Sequence, residues 1–210
     1  MRPFMAILAL TASLFLPALS LAAPPQAPSV LIKTTGDRTL EALKRDKALL
    51  QSEPRRAYKI VEDIILPHFD FQSMAQTVLA AHWRNADEGQ RQRFTDGFRD
   101  LLVRTYATAL SEYSDETFEV LPMREPPSDT EAVVRTQILQ KGGSPVPVIY
   151  TLNSSGAAWK VVDVNIAGMS LVNNYRLNFA AEIRRKGLEA LIATLASRSA
   201  AALKPAAATP

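Results

Sequence analysis

The hydrophobic period of this chain changes twice, and the two changes fix the order in which helices and strands can occur. Through the first half apolar residues recur at three, four and seven. From Glu116 they alternate every second residue, and after Gly168 the helical spacing returns. A helix carries its apolar face at 3.6-residue spacing and a half-buried strand at two. Helices, then a run of strands, then closing helices describe an α+β domain in which a helical layer packs on one face of a curved antiparallel sheet.

Within the first helical stretch, Leu40, Leu43 and Leu50 mark one face, and Ile60, Val61, Ile64 and Ile65 mark another before Pro67 ends it. Asp70 reads as the N-cap of a third helix, with Phe69 placed to staple onto Met74. A longer helix opens with Asp87 and, three residues on, Gln90, the pattern of a capping box. Its apolar stripe is Phe94, Phe98, Leu101, Leu102, Tyr106, Ala109 and Leu110, with the charged residues elsewhere on the cylinder.

The alternating region gives four strands, around Phe118 and Val120, then Val134 to Ile138, then Val146 to Leu152, then Trp159 to Ile166. Gly142-Gly143 and Ser154-Ser155-Gly156 supply the short turns that antiparallel neighbours need. Past Gly168, Phe179 and Ile183 mark a helix that breaks at Gly187, and Leu188, Leu191, Ile192 and Leu195 mark the last one. Arg184, Arg185 and Lys186 precede that break, where cations meet the negative end of a helix favourably; an acidic docking partner is the other reading.

The first 22 residues read as a cleaved export signal. Arg2 is followed by an apolar run from Met5 to Leu21 and by the small-x-small sequence Ser20-Leu21-Ala22. Thr11, Ser13, Pro17 and Ser20 dilute that run below the roughly 20 apolar residues of a membrane span. With no cysteine in the chain, a lipid-bearing N-terminal cysteine, disulfides and thiolate zinc sites are all excluded. Removing the first 22 of 210 residues leaves 188, enough for one cored domain over 23–198, ahead of an Ala/Pro tail over 199–210 expected to be disordered. The loss of Arg2 lowers the formal charge from +3 to +2, too little and too scattered for a nucleic-acid binder.

Residues 159–179, WKVVDVNIAGMSLVNNYRLNF, bring an apolar strand bearing Asp163 through a turn into a helix bearing Tyr175 and Arg176. An ion pair and an aromatic beside one apolar surface suit the holding of an amphiphile, whose tails need apolar walls and whose head needs a polar contact. In an α+β fold the space between helices and a curved sheet is a natural apolar pocket, although the same residues can close into a solid core. The candidate wall comprises Val78, Phe94, Phe98, Leu102 and Tyr106 from the helices, Val134, Ile138, Val148, Tyr150 and Val164 from the sheet, and Tyr175. Arg176 is either a headgroup ligand, guanidinium being well matched to phosphate, or the structural partner of Asp163.

Two motif blocks carry a resemblance. The first is Phe69-Asp70-Phe71, Trp83-Arg84, Gln90, Phe94, Phe98, Leu102 and Tyr106. The second is Trp159-Lys160-Val161-Val162-Asp163-Val164, Gly168-Met169-Ser170-Leu171-Val172, Tyr175-Arg176 and Phe179. In order and spacing, over about residues 30–197, they resemble the MlaC-type toluene-tolerance proteins, which are periplasmic phospholipid carriers. The chain departs from that pattern where Ala80, Ala81 and His82 stand in place of a glycine usual before the Trp-Arg pair, which puts the local turn in question.

The resemblance implies a soluble periplasmic shuttle that takes acyl tails into a cavity. It would pass lipid between an outer-membrane lipoprotein complex and the substrate-binding component of an inner-membrane ABC transporter, through transient docking and without a cofactor. Exposing two tails of roughly sixteen carbons costs on the order of 25 kcal/mol at about 0.8 kcal/mol per CH₂, so such a carrier must cover nearly all of them.

Two other classes stay open. His68 and His82 stand in no zinc-protease pattern, there is no G-x-S-x-G elbow and no P-loop, so no catalytic or metal residue is assigned. Esterase assay tests that exclusion. An adaptor without cargo shares the leader and the fold, and stoichiometric phospholipid in an organic extract separates it from a carrier. A carrier of another hydrophobic lipid is a nearer variant that the residues leave open.

Overall fold

In a computed structural model of the protein, residues 26–203 are described, except 51, 54, 113, 114 and 155–157. The expected leader and the end of the expected tail lie outside the described residues, as do 155 and 156 of the second expected turn. Pro28 opens α1 (Pro28–Leu50), where a missing N–H costs nothing. After α2 (Arg55–Ile60) the chain widens into a π-turn over Val61–Ile65, closed by the Leu66 N–H donating to the Val61 carbonyl. It then tightens into a 3₁₀ turn over Leu66–His68 that contains Pro67.

The Asp70 carboxylate accepts the Ser73 N–H at 2.9 Å and so starts α3 (Phe71–Leu79). A short α4 (Ala81–Asn85) leads to α5 (Glu88–Ser111), whose capping box is complete: Asp87 accepts from the Gln90 N–H at 2.7 Å and Gln90 accepts from the Asp87 N–H at 3.1 Å.

The strands β1 (Thr117–Val120), β2 (Glu131–Leu139), β3 (Val146–Ser154), β4 (Trp159–Ile166) and β5 (Met169–Ser170) pair antiparallel in chain order as an open sheet. The expected strands are all present, and β5 is an addition. It arises because Ala167 and Gly168, at φ 50° and 90°, make a two-residue hairpin turn that carries Met169 back along Ile166. A two-residue strand is too short for any period to reveal.

Register places Ala132, Val134, Thr136 and Ile138 of β2 beside Leu152, Tyr150, Val148 and Val146 of β3. A bulge between Thr151 and Leu152 leaves Val162 unpaired, so Val161 and Val164 both turn inward although three residues apart. The buried Thr136 hydroxyl donates to the Val148 carbonyl at 2.9 Å, which satisfies the one polar side chain on this face of β2.

Ser170 caps α6 (Leu171–Lys186), Gly187 ends it at φ 83°, and α7 (Leu188–Leu203) follows. The helical trace of α7 thus runs past the expected tail boundary at residue 199. A Cβ at Gly97 would come within 2.9 Å of the Leu195 Cβ, so glycine is what lets α5 and α7 lie so close.

The interior divides in two. The larger cluster joins the start of α1, α3, the first half of α5, α6, α7 and the sheet through residues such as Ile32, Met74, Phe94, Phe98, Val134, Leu152, Phe179 and Leu195. The smaller joins α1, α2, the π-turn and the second half of α5 through Ala42, Leu43, Leu50, Ala57, Ile60, Val61, Val103 and Ala107.

Candidate functional site

Between those two clusters lies a cavity of about 310 Å³, partly open to solvent. One wall is α1, through Ile32, Thr35, Gly36, Thr39, Leu40 and Leu43. The opposite wall is the inner face of the sheet, through Phe118 of β1, Ile138 of β2, Tyr150 of β3 and Val161 of β4. Ile65, His68 and Phe69, Ala109 and Leu110 of α5, and Glu116 and Thr117 complete the lining. The lining is mainly apolar, with a few polar groups contributed by Thr35, Thr39, His68, Glu116, Thr117 and Gln140.

The local sequence explains the opening. The π-turn and the proline-bearing 3₁₀ turn swing the backbone off α2, which delivers Ile65, His68 and Phe69 to the cavity edge. Phe69 then forms a bridge to Val161, and the Asp70 N–H donates to the Val161 carbonyl at 2.9 Å, which fixes this segment against β4. On α1, Gly36 has no side chain to fill the space, and a methyl group there would overlap the Phe118 ring. Phe118 lies directly opposite Ile138 in the sheet register.

The Tyr150 side chain lines the cavity, and burial pushes its hydroxyl up to about 12, so it is a neutral donor at any physiological pH. His68 is held below the usual imidazole range, first by burial and then by the positive charges of Lys160 and Arg38.

Of the wall residues expected from the sequence, Ile138 and Tyr150 line this cavity. Val78, Phe94, Phe98, Leu102, Val134, Val148 and Val164 are instead buried in the larger cluster, with Tyr106 and Tyr175 packed against it. The reason is an aromatic set between α5 and α6. Phe98 meets Tyr175 edge-on at 5.4 Å and Phe94 meets Phe179 edge-on at 5.9 Å, which fills the space those helices would otherwise leave. Tyr106 is pushed up to about 12, mainly by burial and then by Tyr175.

The expected ion pair does not form. Arg176 donates to the Asn173 side chain at 2.6 Å. Asp163 accepts from the Val164 and Val172 N–H groups at 2.8 and 3.1 Å and from the Ser170 hydroxyl at 2.6 Å. Both residues border a more polar depression with Ser73, Thr77 and Asn153, which shares no lining residue with the main cavity. The carboxylate's role is to join β4 to the start of α6, where a negative charge meets unpaired helix N–H groups.

What sequence reasoning missed is the α1 wall. Leu40 and Leu43 were legible as a helix face but not as the boundary of a space. The available signal was Gly36, an isolated glycine within a helical pattern, which asks for a packing reason.

A helical layer over an open antiparallel sheet, with an apolar cavity kept between one helix and the sheet, defines an α+β domain built around an internal binding space. The family model described as MlaC protein matches residues 33–197, and the chain belongs to the MlaC family. It is 30% identical over 172 residues to the toluene tolerance protein ttg2D of Pseudomonas putida, covering 81% of this chain and 79% of that one. It is 25% identical over 170 residues to the intermembrane phospholipid transport system binding protein MlaC of Haemophilus influenzae, covering 79% of each. Among solved structures, a phospholipid-binding protein from Ralstonia solanacearum in complex with a phospholipid superposes with a TM-score of 0.77 at 33% identity, over 85% of this chain and all of the other.

Proposed function

We propose that the protein is a periplasmic phospholipid carrier whose cavity between α1 and the sheet receives acyl tails. The observation that carries this reading is the largely apolar space bordered by Ile32, Leu40, Leu43, Phe118, Ile138 and Val161, in a chain similar to a protein solved with a phospholipid bound. Apolar walls supply the favourable burial, and few polar groups are needed to orient the ligand. The work is noncovalent: tails exchange one apolar surrounding for another, so the transfer is close to balanced and its direction is set by the partners.

Those partners are an outer-membrane lipoprotein complex and the substrate-binding component of an inner-membrane ABC transporter. Support comes from the intermembrane transport system named for the Haemophilus relative and from the export leader read in residues 1–22. Among the described residues no helix is long and apolar enough to cross a membrane.

The test is native mass spectrometry of protein purified from a Gram-negative periplasm, with lipid identified in an organic extract. One phospholipid mass is expected on the wild type, and Ile138→Trp, which fills the sheet wall of the cavity, is expected to fold but to lose at least about nine-tenths of that occupancy, a change of about 1.4 kcal/mol or more. A protein that stays free of lipid after incubation with liposomes is an adaptor, and the carrier reading fails.

A further inference from the structure

The sheet wall of the cavity carries a hydroxyl that the protein leaves unused. Phe118, Ile138 and Val161 on that wall are apolar, and Tyr150 bears the hydroxyl. The register surrounds it with hydrocarbon: Val134 stands opposite on β2 and Val164 on β4, while Val148 and Leu152 flank it along the buried face of β3. Among the described residues no group accepts a hydrogen bond from the Tyr150 hydroxyl. Other hydroxyls close by are spent within the protein. One pair along the same face, Thr136 donates to the Val148 carbonyl at 2.9 Å, and on the facing helix Thr39 of the lining donates to the Thr35 carbonyl at 2.8 Å.

We propose that the Tyr150 hydroxyl recognises an ester carbonyl of a bound glycerophospholipid, as the contact that tells ester-linked tails from other hydrocarbon. This rests on the carrier reading above. Tails entering the cavity displace the water that otherwise meets this hydroxyl, and methylenes offer no acceptor in return. The ester carbonyls are the acceptors joined directly to the tails, so a carbonyl brought to Tyr150 restores the bond while the chains stay against apolar walls. A phosphodiester is the poorer candidate. Its charge would have to be desolvated beside four aliphatic side chains, whereas a carbonyl is neutral and costs far less to bury.

Because burial keeps the phenol protonated, the contact is a neutral one and does not depend on headgroup charge. The hydroxyl therefore reads the linkage of the tails and not the alcohol beyond the phosphate. It accepts phosphatidylethanolamine and phosphatidylglycerol alike and discriminates against diether lipids, whose chains are the same but whose carbonyls are missing. Tyr106 and Tyr175, packed against the larger cluster and absent from the lining, take no part.

Protein from a Gram-negative periplasm, stripped of lipid by unfolding and refolding, is loaded from an equal mixture of diacyl and diether phosphatidylglycerol with chains of one length, and bound species are counted by native mass spectrometry. The wild type is expected to prefer the diacyl lipid by about threefold or more, the scale of one neutral hydrogen bond. Tyr150→Phe, which removes the oxygen and keeps the ring, is expected to lose most of that preference. A tyrosine that only packed against the sheet would change stability on substitution without moving the ratio. Infrared spectra of the loaded diacyl lipid, labelled with carbon-13 at its carbonyls, are expected to show a hydrogen-bonded ester band in the wild type that is missing in Tyr150→Phe.

Equal loading of the two lipids by the wild type, a preference undiminished in Tyr150→Phe, or the same carbonyl band in both proteins overturns the contact and leaves the carrier intact. Failure of both lipids to load on the wild type overturns the carrier reading and the contact with it. The wild-type measurements stand even if the variant does not fold: a carbonyl band matching that of the lipid in dry hydrocarbon overturns the contact by itself.

Discussion

Ala80 closes α3 with φ 49° and ψ −117°, a conformation that L residues adopt only under constraint. The constraint is local: its N–H donates to the Gln76 carbonyl at 2.9 Å, and its carbonyl accepts from the Trp83 N–H at 3.2 Å to begin α4. Glycine reaches that backbone freely, which is the physical meaning of the glycine usual near this point in the proteins the sequence resembles. Ala80→Gly is therefore expected to raise stability by about 1 kcal/mol, strain relief of about 1–3 kcal/mol exceeding the greater freedom glycine gives the unfolded chain. Urea unfolding checks this, with a higher midpoint and an unchanged slope as the outcome; a lower midpoint means that the turn is not strained.

At the scale of elements, β4, the tight hairpin and α6 act as one unit through Asp163. Removing its carboxylate leaves the Val172 N–H without its acceptor and frees the Ser170 cap, which itself accepts from the Asn173 N–H at 3.1 Å. Asp163→Ala is expected to cost about 2 kcal/mol in thermal or denaturant unfolding, within the range of a lost cap and unpaired buried N–H groups. Loading of lipid per folded molecule is expected to stay unchanged, because the carboxylate is remote from the cavity.

The same elements show what the sequence could and could not express. Caps and stops are local chemistry, so Asp70, the Asp87–Gln90 box and Gly187 were readable at their positions. Inward-facing residues were readable too, because the period of each segment fixes its faces. Which inward residues meet and which leave a gap depends on partners far along the chain. Phe94 and Phe98 looked like walls until Tyr175 and Phe179 were seen to fill the space beside them. The cavity instead depends on Gly36 opposite Phe118 and on a π-turn, neither of which leaves a periodic trace. The ion pair of Asp163 with Arg176 failed for a related reason. A carboxylate beside a helix start is taken up by the backbone N–H groups and the capping hydroxyl there, which leaves nothing for a guanidinium.

For the molecule as a whole, the cavity volume sets a further expectation. At about 310 Å³ it lies at the lower end of the roughly 300–1,000 Å³ that ligand pockets span, while a carrier of two long tails must enclose nearly all of both. Loading is therefore expected to move α1 away from the sheet. The chain has no cysteine, so spin labels can be placed cleanly at Thr34→Cys on α1 and Lys141→Cys in the turn after β2. Their separation is expected to grow by about 2 Å or more on loading, the size of a distinct rearrangement; an unchanged separation with lipid bound means that the tails enter without moving the helix.

The position of that space along the boundary of two separate clusters has a consequence for the working cycle. A shuttle spends part of its life empty, and a protein whose ligand completed its only core would be at risk of unfolding on each return trip. Here two clusters of buried side chains stand beside the space, one between the sheet and α3, α5, α6, α7 and the start of α1, the other between the rest of α1, α2 and the second half of α5. Cargo then acts as a removable filling between two standing walls, and delivery can be repeated without rebuilding the carrier.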